Sequence, residues 1–251
     1  GKSTLLEVLS HILGDYAKAT PFASLLHDDR RRGSEASPDL ARLLGARLVT
    51  AAEPEVGARF SEAMLKSLTG GERIPARHLR EEFFEFSPKF KLWLSFNNRP
   101  SVRGQDEGIW RRLLLVPFDV VIPRPERDRR LMSMNLHGKT PLKDKLLQEL
   151  PGILNWALDG YRLWAESGLA VPEAVRAATD EYRLDSDPVG QFLQAAVGEL
   201  KGGAVRARVL YSAYAKWCRE NAVKPFSETA FGTIVPERGI RKEKAGAIFY
   251  R

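Results

Sequence analysis

Apolar positions recur at helical spacing from the first residues. Leu5, Leu6, Leu9, Ile12 and Leu13 fall on one side of a helix, and Gly14 follows as a C-cap. The period then changes. Residues 48–52 (LVTAA), 92–96 (LWLSF) and 113–118 (LLLVPF) are short apolar runs bounded by polar residues. Runs of this kind predict strands buried on both faces of a parallel sheet. Between the first two, 59–68 predicts a helix with Phe60, Met64, Leu65 and Leu68 on one face, broken at Thr69-Gly70-Gly71. A β-like stretch at Ile74, weakened by Pro75, and the aromatic run FFEF follow, so a hairpin is expected there. From 146 to 175 the pattern is helical, with Leu154, Ala157, Leu158 and Tyr161 on one face. Asp185-Ser186-Asp187-Pro188 reads as a linker and N-cap. Beyond it come a helix over 188–200, a Gly-Gly turn, a helix over 208–222, a third from Glu228, and a strand pair turning at Ala245-Gly246. Three helices and a terminal β-wing describe a winged-helix module, or a packing domain of the same topology.

Composition narrows the partners. The 251 residues hold 39 Lys plus Arg against 32 Asp plus Glu, a formal charge of +7, with a pI near 9.6. Nucleic acid is the first candidate for such a balance and an acidic membrane surface the second. The single cysteine, Cys218, excludes an intrachain disulfide framework and suits a reducing cytoplasm. Four His and one Cys show no zinc spacing, and no apolar run reaches the roughly 18–20 residues of a membrane span.

The opening Gly1-Lys2-Ser3-Thr4 reads as the second half of the phosphate-binding loop G-x-x-x-x-G-K-[ST]. In such a loop Lys2 reaches the β- and γ-phosphates, the Ser3 hydroxyl ligates Mg²⁺, and Thr4 sits in the first helical turn. A chance match before an ordinary helix is the other reading. On the first reading, the chain opens inside its loop. A buried strand and the leading glycine are then expected upstream, and the chain without them is expected not to bind nucleotide normally.

Further stations follow in order. Glu53 ends the first apolar run, with Glu55 two residues on; either a Mg²⁺- or water-polarising acid or a solvated strand end fits. Asn97 and Asn98 end the second run before Pro100, as a γ-phosphate sensor or as ordinary turn chemistry. Asp106 can cap a short helix. Arg111 and Arg112 precede the third run, as a finger toward a neighbouring subunit or as a surface ion pair. Lys66, Arg73, Arg77, His78 and Arg80 could follow a phosphate backbone, or form a solvated face tempered by four glutamates.

Taken together, LKSLTGGERIPARHLREEFFEFSPKFKLWLSFNNRP and WRRLLLVPF resemble the superfamily 3 helicase module of phage and plasmid primase–helicases, relatives of the poxvirus-type enzymes. The match rests on Lys66, Thr69-Gly70-Gly71-Glu72, Ala76-Arg77, the aromatics of 83–86, Asn97 and Pro100, and covers roughly residues 1–185. Glu72 stands where the family usually has Asp. The resemblance implies an α/β P-loop NTPase (AAA+-like) with a parallel sheet and flanking helices. The domains it implies are a core over 1–122, a helical extension over 123–185 and a winged-helix domain over 186–251. It implies ATP and Mg²⁺ at Gly1, Lys2, Ser3 and Thr4, with Ser3 and Glu53 on the metal. Glu53 is then the catalytic acid with Glu55 a helper, Asn97 the sensor, and Arg112 the finger ahead of Arg111. Lys66 and Arg77 belong to the DNA-contacting hairpin. The implied activity is an ATP-dependent DNA helicase or translocase, of 3′→5′ polarity, acting in replication. Its setting is the bacterial or phage-infected cytoplasm, as a homo-hexameric ring on single-stranded or forked DNA. A primase domain often lies upstream in the family. The stretch 126–146 is longer than the family pattern, and its His137-Gly138-Lys139-Thr140 reads as a loop. Two rivals share many of these features: an AAA-type ATPase that remodels protein, and a replication initiator that binds DNA without catalysis.

Overall fold

The computed structural model describes residues 1–27, 37–104, 106–120, 132–135, 138–196, 203–245 and 247–250. The chain forms two compact units, Gly1–Thr179 and Asp180–Arg251.

The first unit opens with helix α1 (Lys2–Leu13), closed by Gly14 at φ 52°, a left-handed position that glycine adopts freely. Strand β1 (Ala17–Ala19), helix α2 (Pro38–Ala41) and strand β2 (Leu48–Ala52) follow. Next come α3 (Glu62–Gly70), the antiparallel pair β3 (Ile74–Ala76) and β4 (Phe84–Phe86), then β5 (Lys91–Ser95) and α4 (Glu107–Trp110). β1, β2 and β5 form a parallel sheet in the order β1-β2-β5, with Val49 beside Leu92 and Ala52 beside Ser95. The expected strands at 48–52 and 92–96 are therefore neighbours, which brings their ends side by side. Val49, Leu25, Phe60, Leu68, Val102 and Ile109 are fully buried. Each such side chain contributes about 1.5–3 kcal/mol of transfer free energy.

Residues 113–118 do not form the buried strand their pattern predicts. They run extended without a ladder partner among the described residues, and Leu114, Val116 and Phe118 stay exposed. The expected helix at 59–68 is displaced to Glu62–Gly70, because Ser61 starts it and Gly71, at φ 78°, ends it. Gly138-Lys139-Thr140 lies in a strand rather than a loop: β6 (Met132–Asn135) pairs antiparallel with β7 (Gly138–Pro141). α5 (Leu142–Gln148) and α6 (Leu150–Ser167) then pack against α1. The expected apolar face of α6 remains open, with Leu154, Leu158 and Tyr161 exposed.

α7 (Glu173–Asp185) leads into the second unit: α8 (Pro188–Ala196), β8 (Val205–Arg206), α9 (Ala207–Glu220), α10 (Glu228–Glu237), β9 (Lys242–Ala245) and β10 (Ala247–Tyr250). β8, β10 and β9 form an antiparallel sheet in that order. Val189, Phe192, Leu210, Tyr214, Cys218, Phe231, Val235 and Tyr250 make a core of this unit's own. Tyr214 stacks on Phe231 at 4.6 Å between centroids. Burial raises the Cys218 thiol above its ordinary range, so it behaves as a packed apolar group. Asp187 caps α8 by accepting from the Gly190 N–H at 2.9 Å and pairs with Arg238 at 2.8 Å. Residues 197–200, Gly202, Gly246 and much of 126–146 lie outside the described residues.

Candidate nucleotide site

The site is built where β2 and β5 end and α1 begins. In a parallel sheet all carboxyl ends point one way, and ligands bind in the crevice outside them. α1 starts at Gly1 with no side-chain cap, so its first N–H groups are unclaimed by any capping side chain. Lys2 reaches across to the tip of β5. Its Nζ donates to the Phe96 carbonyl at 2.8 Å and to Asn97 Oδ1 at 2.8 Å. The candidate phosphate lysine and the candidate sensor amide thus touch directly, although 95 residues separate them in the chain. Ser3 is exposed and Thr4 half-buried in the same helical turn.

Glu53 follows β2 on the neighbouring tip. Its N–H donates to the Ser95 carbonyl at 2.9 Å, locking the two strand ends together. Its φ is +59°, in the left-handed region that a residue with a Cβ seldom adopts. A strained backbone of this kind costs about 1–3 kcal/mol and concentrates at functional positions. Glu53 is exposed, as is Glu55, whose carbonyl accepts from the Ala58 N–H in a turn. Asn98 is exposed beside Asn97, and Pro100 is buried.

The other expected site residues gather elsewhere in the unit. Lys66 on α3 donates to both carboxylate oxygens of Asp106 at 3.0 Å. Burial opposes ionisation of Asp106. The Lys66 hydrogen bond and charge, with the Gly108 and Ile109 amides, outweigh it and hold the carboxyl below its ordinary range. Arg112 donates to the Gly108 carbonyl and lies against Gly70, whereas Arg111 is exposed. Glu62 Oε1 accepts from the N–H groups of Arg103 at 2.9 Å and Gly104 at 2.7 Å, and Trp110 Nε1 donates to the Gly104 carbonyl at 2.9 Å. This α3–α4 cluster was not foreseen: Asp106 read only as a cap, and nothing in the spacing linked it to Lys66. Arg77 stands at the start of the β3–β4 loop with its guanidinium 4.5 Å over the Phe83 ring.

With this geometry in place, comparison with known proteins is direct. Residues 184–238 match the family described as Poxvirus D5 protein-like. Over 88% of its length the chain is 32% identical to "Putative helicase L207/L206" of Acanthamoeba polyphaga mimivirus. It is 26% identical over 88% of its length to "Putative helicase 022R" of Frog virus 3 (isolate Goorha). It is 27% identical over 67% of its length to "Putative helicase V13" of Sputnik virophage. The chain is a relative of the helicase-named proteins of large DNA viruses. It spans 24%, 23% and 22% of the length of these three relatives. The resemblance to superfamily 3 helicase-like proteins therefore stands on two independent comparisons.

Proposed function

We propose that this chain is the motor part of an ATP-dependent DNA helicase or translocase acting in replication. The observation that carries the proposal is the convergence of Lys2, Asn97 and Glu53 on the carboxyl ends of two adjacent parallel strands. The residues fit an Mg-ATP site: an uncapped helix N-terminus, a lysine already extended over the strand tip, and an exposed carboxylate held by a strained backbone.

Lys2 exchanges its contacts with Phe96 and Asn97 for the β- and γ-phosphates of ATP, and Gly1 and Thr4 complete the helix N-terminus around them. Mg²⁺, held by Ser3 and Glu53, neutralises phosphate charge when bound. Glu53 polarises the attacking water, with Glu55 nearby, and the released Asn97 amide orients that water. Arg112 serves a neighbouring subunit as the finger, leaving its Gly108 carbonyl to do so; Arg111, already exposed, is second. This requires a ring of identical subunits, taken as a hexamer. Lys66 and Arg77 contact the DNA, Lys66 by trading the Asp106 carboxylate for a backbone phosphate. Residues 1–122, 123–185 and 186–251 are the core, its helical extension and a winged-helix module, with a primase domain upstream. The named relatives extend the setting from phages and plasmids to large DNA viruses.

Unwinding of a forked duplex by the chain extended upstream through its phosphate loop tests this reading. Strand separation that needs ATP is expected, with Arg112→Ala lowering it by about 10³-fold. Mixing Arg112→Ala with Glu53→Gln subunits should partly restore turnover, because the finger and the acid then come from different subunits. Full unwinding by Arg112→Ala alone would remove the finger assignment.

A further inference from the structure

The parallel sheet is unfinished on one side. β5 is its last strand there, and no ladder runs along its outer edge among the described residues. β2, in the middle, buries Leu48, Val49 and Ala51. β5 does not match it: Leu92 and Leu94 are half-buried, and Trp93 is 41% exposed. An unpaired apolar strand edge is a template for another strand.

A second strand-like segment also lacks a partner. Along 113–118 exposure alternates with the period of a strand. Leu114, Val116 and Phe118 are 51%, 54% and 47% exposed, while Leu113, Leu115 and Pro117 are half-buried. Its one anchor is the Leu115 N–H, which donates to Thr179 Oγ1 at 3.0 Å.

Gly1 belongs to both places. A Cβ on Gly1 would lie 3.6 Å from the Phe118 ring. The next residue, Lys2, holds the Phe96 carbonyl just beyond β5 at 2.8 Å. The entry to α1 therefore stands between the carboxyl tip of β5 and Phe118.

We propose that the edge of β5 is a strand slot whose occupant is the segment immediately preceding Gly1. That segment runs parallel to β5 and pairs with it on one side and with 113–118 on the other. The direction follows from the sheet, since β1, β2 and β5 are parallel and a strand leading into α1 must end where α1 begins. A strand from another chain would have to stop or turn where Gly1 already stands. The relatives carry chain outside the part matched here, of which this sequence spans 24% in the mimivirus protein. The slot goes beyond the motor reading and requires no nucleotide. It explains why a sequence patterned as a buried strand at 113–118 is left half open.

Hydrogen exchange read by mass spectrometry, without nucleotide, tests it. The present chain is compared with one extended upstream by roughly ten residues of its own gene, a strand and a turn. The extension is expected to slow exchange at 91–95 and 113–118 at least tenfold and to shift Trp93 emission to the blue. An extension of equal length with its apolar residues replaced by Ser should do neither. In the extended chain, Val116→Asp should return 91–95 to fast exchange and leave 48–52 unchanged. Unchanged exchange at 91–95 on extension overturns the proposal. So does protection of 91–95 in the present chain that rises with protein concentration, because a second copy then fills the edge. ATP turnover is read separately. A protected edge without turnover removes only the motor reading, and turnover with an open edge removes only the slot.

Discussion

Glu53 concentrates the conflict between stability and chemistry. Its positive φ suits glycine and penalises every residue with a Cβ. Glu53→Gly is expected to stabilise the first unit by about 1 kcal/mol while abolishing hydrolysis. Thermal unfolding and ATP turnover on the same protein check this; a glycine variant less stable than wild type would show that the strain is not there. Lys66 and Asp106 form a second residue-scale test. The folded-state pKa of Asp106 is depressed, so the unfolded chain takes up the proton first as pH falls. The pair's stabilisation is present above the ordinary Asp range and is lost as pH drops through the depressed value. Both side chains are exposed enough for screening to matter, at 37% and 53%, so the pair contributes about 0.2–1 kcal/mol. Asp106→Asn should flatten that acid limb in pH-dependent unfolding. An unchanged limb would place the titration elsewhere.

At the scale of elements, the sequence was most readable where an element's pattern is satisfied within the chain itself. α1 and its Gly14 cap, β2, β5 and the 74–86 hairpin stand close to where their patterns put them. Residues 113–118 misled because a run of Leu and Val announces burial but not the partner that provides it. β8 has two residues and carries no periodic signal. The apolar stripe on α6 was real in the pattern, yet its face is open. Spacing alone left Glu53 and Asn97 divided between site and turn; the fold places their strands side by side. The Lys66–Asp106 pair links α3 to the start of α4 across 40 residues, a distance no local pattern spans. Helix packing in the second unit supplies an energetic test. Phe231 on α10 is fully buried against Phe192, Tyr211 and Tyr214. Phe231→Ala should cost about 3–5 kcal/mol. Denaturant unfolding of that unit measures it, and a loss below 1 kcal/mol would mean the core repacks.

The whole molecule divides at Thr179–Asp180, and the Poxvirus D5 protein-like match at 184–238 falls within the second unit. That unit has its own buried core, so a chain of residues 180–251 is expected to fold alone with a cooperative, though low, melting transition. A non-cooperative melt would make its stability depend on the first unit. The first unit carries the candidate nucleotide residues, and the basic balance of the chain favours nucleic acid over a protein substrate. The helicase-named relatives point the same way. The most direct measurement is steady-state ATP hydrolysis with and without single-stranded DNA, on the chain extended upstream through its phosphate loop, beside its Glu53→Gln variant. A DNA-driven motor shows turnover that rises strongly with DNA and falls by roughly 10²–10⁴-fold in the variant. Turnover indifferent to DNA would contradict it and favour a protein remodeller; DNA binding with no turnover would contradict it and favour a non-catalytic initiator.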